Sequence, residues 1–222
     1  MKRVVLKLGG RVAAEAAAQA LDLCHAGRQV VVVHGAGPQI SAEMKRLGIP
    51  VEFVDGRRVT DPAALAIVRA SLVAVGAEVS AALGPAALPL VGDEIGLQAR
   101  PLPELGLVGE ALPCRPAAIE AALAEGRIPV VAPLAVGPLN VNADEAAAAL
   151  AVGLEADRIV FVTDVPGVYV EGALSERLDA VEAERLLVAG AFEGGIVPKV
   201  LAAVRAARLG VHASIGATEV FA

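Results

Sequence analysis

Two lysines and three runs of small residues set out the chemistry this chain can support. Val4-Val5-Leu6-Lys7-Leu8 runs into Gly9-Gly10, and Val30-Val31-Val32-Val33 runs into His34-Gly35-Ala36-Gly37-Pro38. Far downstream stands Gly194-Gly195-Ile196-Val197-Pro198-Lys199. Small residues let backbone N–H groups approach phosphate oxygens, and lysine ammoniums neutralise charge on a phosphoryl group in transfer. The first two turns close consecutive apolar strands, and open α/β sheets bind ligands at the C-terminal ends of such strands. Neither turn has the GxGxxG spacing and no GxxxxGK[ST] occurs, so the dinucleotide fingerprint and the P-loop are both weak readings.

Two further segments carry candidates. Asn140, Asn142 and Asp144 alternate along Asn140-Val141-Asn142-Ala143-Asp144, which places them on one side if the segment is extended. One carboxylate there could hold two lysine side chains, although Asn and Asp before a helix are more often caps. Thr163-Asp164-Val165-Pro166-Gly167 follows a buried strand and reads as a plain turn or as a nucleotide-contacting loop. Lys199 opens a helix, the wrong end for a cation, so something else must favour it there; a bound phosphate would. His34 reads as structural, and His25 and His212 are isolated. No residues have metal-ligand spacing, so a metal would be Mg²⁺ carried by a nucleotide.

The elements that must position these residues alternate. Apolar strands at 3–8, 30–33, 128–132 and 158–163 are separated by helices at 15–26, 39–47, 61–83, 116–125 and, after a loop, up to 154. Asp55-Gly56 between two extended runs signals a hairpin. Residues 88–109, dense in Gly and Pro, read as short strands and turns. This order predicts an α/β fold, a three-layer α/β/α sandwich with a mostly parallel central sheet. At 222 residues the chain makes one large domain or two lobes sharing a sheet. Its net charge of −6 and 2% aromatic content speak against nucleic acid, so cationic binding must be local, at Lys7, Arg57, Arg58 and Lys199. No uninterrupted apolar run reaches membrane-spanning length, two cysteines make no disulfide framework, and the start leads straight into a strand; a cytoplasmic protein without a membrane partner is expected.

Together these pieces resemble the acetylglutamate kinases of the amino-acid kinase superfamily. The resemblance rests on Lys7-Leu8-Gly9-Gly10, the segment from Val33 through Gly35-Ala36-Gly37-Pro38 to Ile40, Asp55-Gly56-Arg57-Arg58-Val59-Thr60-Asp61, the Asn140 to Asp144 loop, the Val162 to Val168 turn and the Gly194 to Lys199 segment. The Arg-Val-Thr hairpin and the Asn-Val-Asn-Ala-Asp loop separate this family from carbamate, aspartate and uridylate kinases. The resemblance implies ATP-dependent phosphorylation of the side-chain carboxylate of N-acetyl-L-glutamate in arginine biosynthesis, with Mg²⁺. It implies that Lys7 and Lys199 stabilise the transferring group and that Asp144 orients both. Gly9, Gly10, Gly35, Ala36 and Gly37 would offer phosphate-binding backbone. Arg58, Asn140 and Asn142 would bind substrate, and Thr163, Asp164, Gly167 and Gly195 the nucleotide. An N-terminal lobe, residues 1–138, would bind acetylglutamate and dimerise, and residues 139–222 would bind ATP.

The chain departs from the family pattern in three places. Ala36 stands where a glycine is usual, and Ile196-Val197 replaces Met-Ile. Ser214-Ile215-Gly216-Ala217-Thr218 follows the last β-piece directly, where the family has some two dozen more residues, so part of the nucleotide wall is expected to be missing or rebuilt. Rival readings are a kinase for carrier-linked aminoadipate or glutamate and a non-catalytic amino-acid-binding homologue. A homodimer insensitive to arginine is expected, since arginine-sensitive relatives carry an extra N-terminal helix and this chain starts at its first strand.

Overall fold

A computed structural model describes residues 2–9 and 13–222. The first half of the chain alternates strand and helix, as the hydrophobic pattern requires: β1 (Arg3–Leu8), α1 (Ala13–His25), β2 (Gln29–His34) and α2 (Gly37–Arg46). A two-residue hairpin, β3 (Phe53–Val54) and β4 (Arg57–Arg58), then turns through Asp55 and Gly56, both at positive φ (49° and 76°), the combination a tight primed turn needs. Next comes α3 (Pro62–Leu83), with Pro62 in its first turn and the Asp61 side chain capping Ala64 N–H at 2.7 Å.

The Gly- and Pro-rich stretch forms short strands and turns, as its composition suggests. It holds β5 (Ala87–Val91), β6 (Ala99–Pro101) and β7 (Val108–Ala111). β5 is a full strand of the main sheet. It lies at the sheet's edge, where Pro89 removes no essential ladder bond. After α4 (Ala117–Ala124), β8 (Ile128–Ala132) and β9 (Leu134–Ala135), the segment read as a loop forms β10 (Leu139–Val141) before α5 (Ala143–Gly153). The chain continues through β11 (Arg158–Val162), the hairpin β12 (Tyr169–Val170) and β13 (Ala173–Leu174), then β14 (Arg177–Asp179), α6 (Ala180–Val188), α7 (Ile196–Arg208), β15 (His212–Ile215) and β16 (Thr218–Phe221).

The main sheet has eight strands in the order β14-β16-β15-β11-β1-β2-β8-β5. All its pairings are parallel except β15 with β16. Helices α1, α2 and α3 cover one face and α4 to α7 the other, so the expected three-layer sandwich is present. Strand residues alternate between the two cores. Val4, Leu6 and Leu8 face α1 to α3, whereas Val5, Val31, Val33 and Phe161 face α4 to α7. Lys7 shares the odd-numbered phase with Val5 and therefore points toward α5 and α7. A second, four-stranded sheet, β6-β7-β10-β9, flanks the main one.

By length and composition α3 could cross a membrane. One face of it is nevertheless core, with Val68, Leu72 and Val79 buried against the sheet.

The C-terminal segment makes a tight turn packed on a neighbouring loop. β15 turns straight into β16 through Gly216, at φ 54°, and this turn seats on the Pro166-Gly167 loop. Ala217 N–H donates to the Pro166 carbonyl at 2.8 Å, and a Cβ at Gly216 would stand 2.4 Å from that oxygen. Thr218, fully buried, accepts from Val168 N–H at 2.8 Å and donates to the Ser175 carbonyl at 2.6 Å. Thr218→Val keeps the shape and orphans both partners, which is expected to cost about 1–3 kcal/mol. Urea unfolding should show a lower midpoint at an unchanged slope; an unchanged midpoint would mean the hydroxyl does not hold this loop.

Candidate active site

The C-terminal ends of β1, β2 and β11 open into a cavity of about 430 Å³. Lys7 reaches it from β1, Asp144 from the first turn of α5 and Lys199 from the first turn of α7. All three side chains are largely buried. Lys7 Nζ lies 2.8 Å from Asp144 Oδ1 and Lys199 Nζ 3.7 Å from Asp144 Oδ2, so one carboxylate sits between two ammoniums. Lys199 Nζ also donates to the Gly195 carbonyl at 3.1 Å. Burial pulls the Lys199 ammonium below the ordinary lysine range; Asp144 opposes that fall and Lys7 adds to it. The sequence posed a cation at a helix N-terminus without a partner, and the partner is Asp144. The site keeps one positive charge more than its carboxylate neutralises, which suits an anionic ligand.

Three helices start at this cavity, and they start differently. Asn142 caps α5, its side-chain oxygen accepting from Asp144 and Glu145 N–H at 2.8 and 3.3 Å. Neither α2 nor α7 has a side-chain cap. Pro38 and Pro198 have no N–H and Val197 N–H already donates to the Gly194 carbonyl at 3.3 Å, so the first-turn donors left for phosphate oxygens are few: Gly37 and Gln39 on α2 and Ile196 on α7. At the second turn the Gly35 N–H is already engaged by the Leu8 carbonyl at 3.3 Å. Gly37 and Gly195 have negative or ordinary φ, and a Cβ on either would meet nothing within 4 Å. Neither backbone strain nor packing against the protein excludes a side chain at these two positions, so their smallness leaves room in the cavity itself. Ala36 adopts φ −138°, so its methyl carries no left-handed strain and replacement by glycine would relieve none.

Arg58 also lines the cavity. It is buried, its guanidinium lying over the Phe53 ring at 4.6 Å and donating to Ser41 Oγ at 2.8 Å and the Gly37 carbonyl at 3.3 Å. Burial depresses its basicity, and none of the ion pairs among the described residues includes it. A buried guanidinium with neutral partners only is set to receive an anionic group. Asn140 donates to Thr60 Oγ1 at 3.0 Å, which ties β10 to the exit of the hairpin. Asn142 donates to the Gly56 carbonyl at 3.2 Å.

Gly9, Gly35, Ala36, Gly37, Arg58, Asn140, Asn142, Thr163, Asp164 and Gly195 line the same cavity as the two lysines and Asp144. Gly10 lies outside the described residues. Gly167 does not line it; it borders a smaller neighbouring cavity with Phe192 and Ile196, and a Cβ there would stand 2.6 Å from Thr218 Oγ1. Its smallness answers to that packing. Sequence reasoning missed Ser41, Met44 and Phe53 around Arg58, and the pairing of Arg57 with Glu145. Adjacent charged residues were visible at 57–58 and 144–145, but not which faced which.

A parallel sheet with a lysine pair about one carboxylate at its strand ends has a recognisable class. A family model described as "Amino acid kinase family" matches residues 2–216. Curated acetylglutamate kinases of Rubrobacter xylanophilus and Geobacillus kaustophilus are 40% and 39% identical, over 97% and 92% of this chain and 88% and 85% of their own lengths. That of Frankia casuarinae is 41% identical over 94% of the chain, which spans 64% of its length. Of solved structures, smu.665 from Streptococcus mutans superposes with a TM-score of 0.90 at 29% identity, covering 99% of this chain and 98% of that one. N-acetylglutamate synthase from Neisseria gonorrhoeae, complexed with coenzyme A and N-acetyl-glutamate, gives 0.85 at 25% identity, over all of this chain and 59% of that one. The chain belongs to the amino acid kinase family, among the acetylglutamate kinases.

His34 stays outside this machinery. It is buried at the end of β2, with its Nε2 against Gly76 of α3, where a Cβ would stand 3.0 Å away. Burial lowers its pKa to about 4. The unfolded chain therefore takes up this proton from about pH 6.5 and the folded chain only near 4, so stability should decline as pH falls through that window. His34→Met should flatten that part of the stability–pH curve measured by urea unfolding; an unchanged slope would show that the imidazole does not carry it.

Proposed function

We propose that the chain transfers the γ-phosphoryl group of ATP to the side-chain carboxylate of N-acetyl-L-glutamate, giving N-acetylglutamyl 5-phosphate and ADP. The observation that carries this reading is the polarity of the cavity. Arg58, without an acidic partner among the described residues, lines the same cavity as the Lys7–Asp144–Lys199 cluster. An acceptor with two carboxylates spans such a site, one end gripped and the other presented for transfer.

The chemistry asks for positioning and charge stabilisation, with no covalent intermediate. The acceptor carboxylate is already a nucleophile. Its oxygen forms the new P–O bond while the bond from the γ-phosphorus to the bridging oxygen breaks, and ADP leaves with that electron pair. No proton has to move. Lys7 and Lys199 offset the charge on the equatorial oxygens, and Asp144 holds both ammoniums in place. The N–H groups of Gly37 and Gln39 on α2 and of Ile196 on α7 supply donors to phosphate oxygens. Mg²⁺ accompanies the nucleotide and neutralises its phosphates. Residues 1–138 contribute the acceptor grip, and residues 139–222 contribute Asp144, Lys199 and the Thr163-Asp164 loop beside the nucleotide.

Purified protein with ATP and Mg²⁺ should release ADP only when acetylglutamate is added; release with another acyl acceptor and not with this one would refute the substrate. Lys7→Ala and Lys199→Ala should each lower kcat by on the order of 10²–10³, the scale for one transition-state contact. Arg58→Ala should chiefly raise KM for acetylglutamate, because its contact is made before and during transfer.

We also propose a homodimer. α3 carries apolar side chains beyond those its core face buries, with Val73 about half exposed beside the buried stripe. Light scattering should give twice the chain mass; a monomer at micromolar concentration would contradict it.

A further inference from the structure

We propose that Arg57 and Glu145 form a latch that fixes the β3–β4 hairpin over the cavity and so sets the distance between the acceptor grip and the lysine cluster. This inference rests on the acetylglutamate reading given above. Arg57 and Arg58 are neighbours on a two-residue strand, and their side chains go separate ways. Arg58 turns toward α2, onto Gly37, Ser41 and Met44. Arg57 pairs with Glu145 at 2.9 Å. Glu145 follows Asp144 on the first turn of α5, the carboxylate that holds both lysines. One dipeptide of the hairpin is thus tied to the acceptor side of the cavity, and one dipeptide of α5 is tied to the phosphoryl side, with the Arg57–Glu145 contact joining the two.

The hairpin has little else to hold it. Residues 52–56 are exposed, and Arg58 is its one buried residue. Its turn is tethered by Asn142, which donates to the Gly56 carbonyl at 3.2 Å, and a Cβ at Gly56 would come within 3.8 Å of Pro198, next to Lys199. An element without its own apolar core takes its place from such polar ties. The pair itself is partly shielded, the side chains being 24% and 16% exposed, so its attraction is less screened than that of a surface ion pair. Glu110 of β7 and Arg205 of α7 face it and pair with each other at 3.1 Å, so the latch sits where the hairpin, the flanking sheet, α5 and α7 meet. Arg57 itself lines the cavity whereas Glu145 does not, so Glu145 is the positioning residue whose effect on the acceptor must pass through the hairpin.

The test reads kinetics and hairpin mobility together. Glu145→Gln and Arg57→Gln should each raise KM for acetylglutamate by about 5- to 20-fold, while KM for ATP and kcat change less than about threefold. The double variant should be no worse than either single one, and Arg57→Lys should keep most of the wild-type KM. Deuterium uptake at the amides of residues 53–58 should be faster in both Gln variants. An unchanged KM, a loss confined to kcat, or additive effects in the double variant would overturn the latch. If the wild-type chain proves not to phosphorylate acetylglutamate, the substrate reading fails by itself. The latch is then decided by exchange alone: faster uptake in Glu145→Gln supports it, and unchanged uptake removes it.

Discussion

One carboxylate between two buried ammoniums governs the rest of this structure. Taking two lysines out of water is costly, and bringing them near one another adds repulsion. Asp144 offsets part of both terms, at 2.8 and 3.7 Å from the two nitrogens. That arrangement requires three elements from distant parts of the chain to meet within a few ångströms. β1 must be a central strand with Lys7 in the phase facing α5. α5 must begin where β1 ends, and α7 must present its first turn to the same point. A site with a surplus positive charge is poised for an anion.

The helix starts divide the labour. Asn142 caps α5 and satisfies its first N–H groups, which leaves Asp144 to face the lysines instead of serving as a cap. α2 and α7 have no side-chain cap, and with a proline in each first turn they offer only a few N–H groups to the cavity. The glycines follow the same division. Gly37 and Gly195 leave room in the cavity, whereas Gly167 and Gly216 are small because another part of the protein lies against them. A run of glycines in a sequence does not announce which reason applies.

Near the other end of the sheet, a tight turn holds a neighbouring loop. β15 reverses directly into β16, and Thr218 anchors the Val168 backbone and the Ser175 carbonyl together. The loop that begins with Thr163 and Asp164 is thereby fixed from behind by a turn in place of a longer excursion.

The layers were legible in the sequence, and so were most of the residues that line the cavity. All-apolar strands require burial on both faces, alternation with helices requires a parallel sheet, and Asp55-Gly56 requires a tight turn; each is a local consequence of residue type. Lys7 and Lys199 were legible beside their small-residue turns, whereas the roles expected of Arg58 and Asp144 came from the family resemblance. Local pattern showed short strands from residue 88 but not that the first of them joins the edge of the main sheet, and it fell short at 139–141, where a short strand exists only because β7 and β9 flank it. Only the tertiary structure decided which charges pair. Arg57 finds Glu145 across 88 positions and Lys199 finds Asp144 across 55. Such partners are fixed by where the sheet places the ends of its strands, and electrostatic contact depends on distance in space, which sequence separation does not encode.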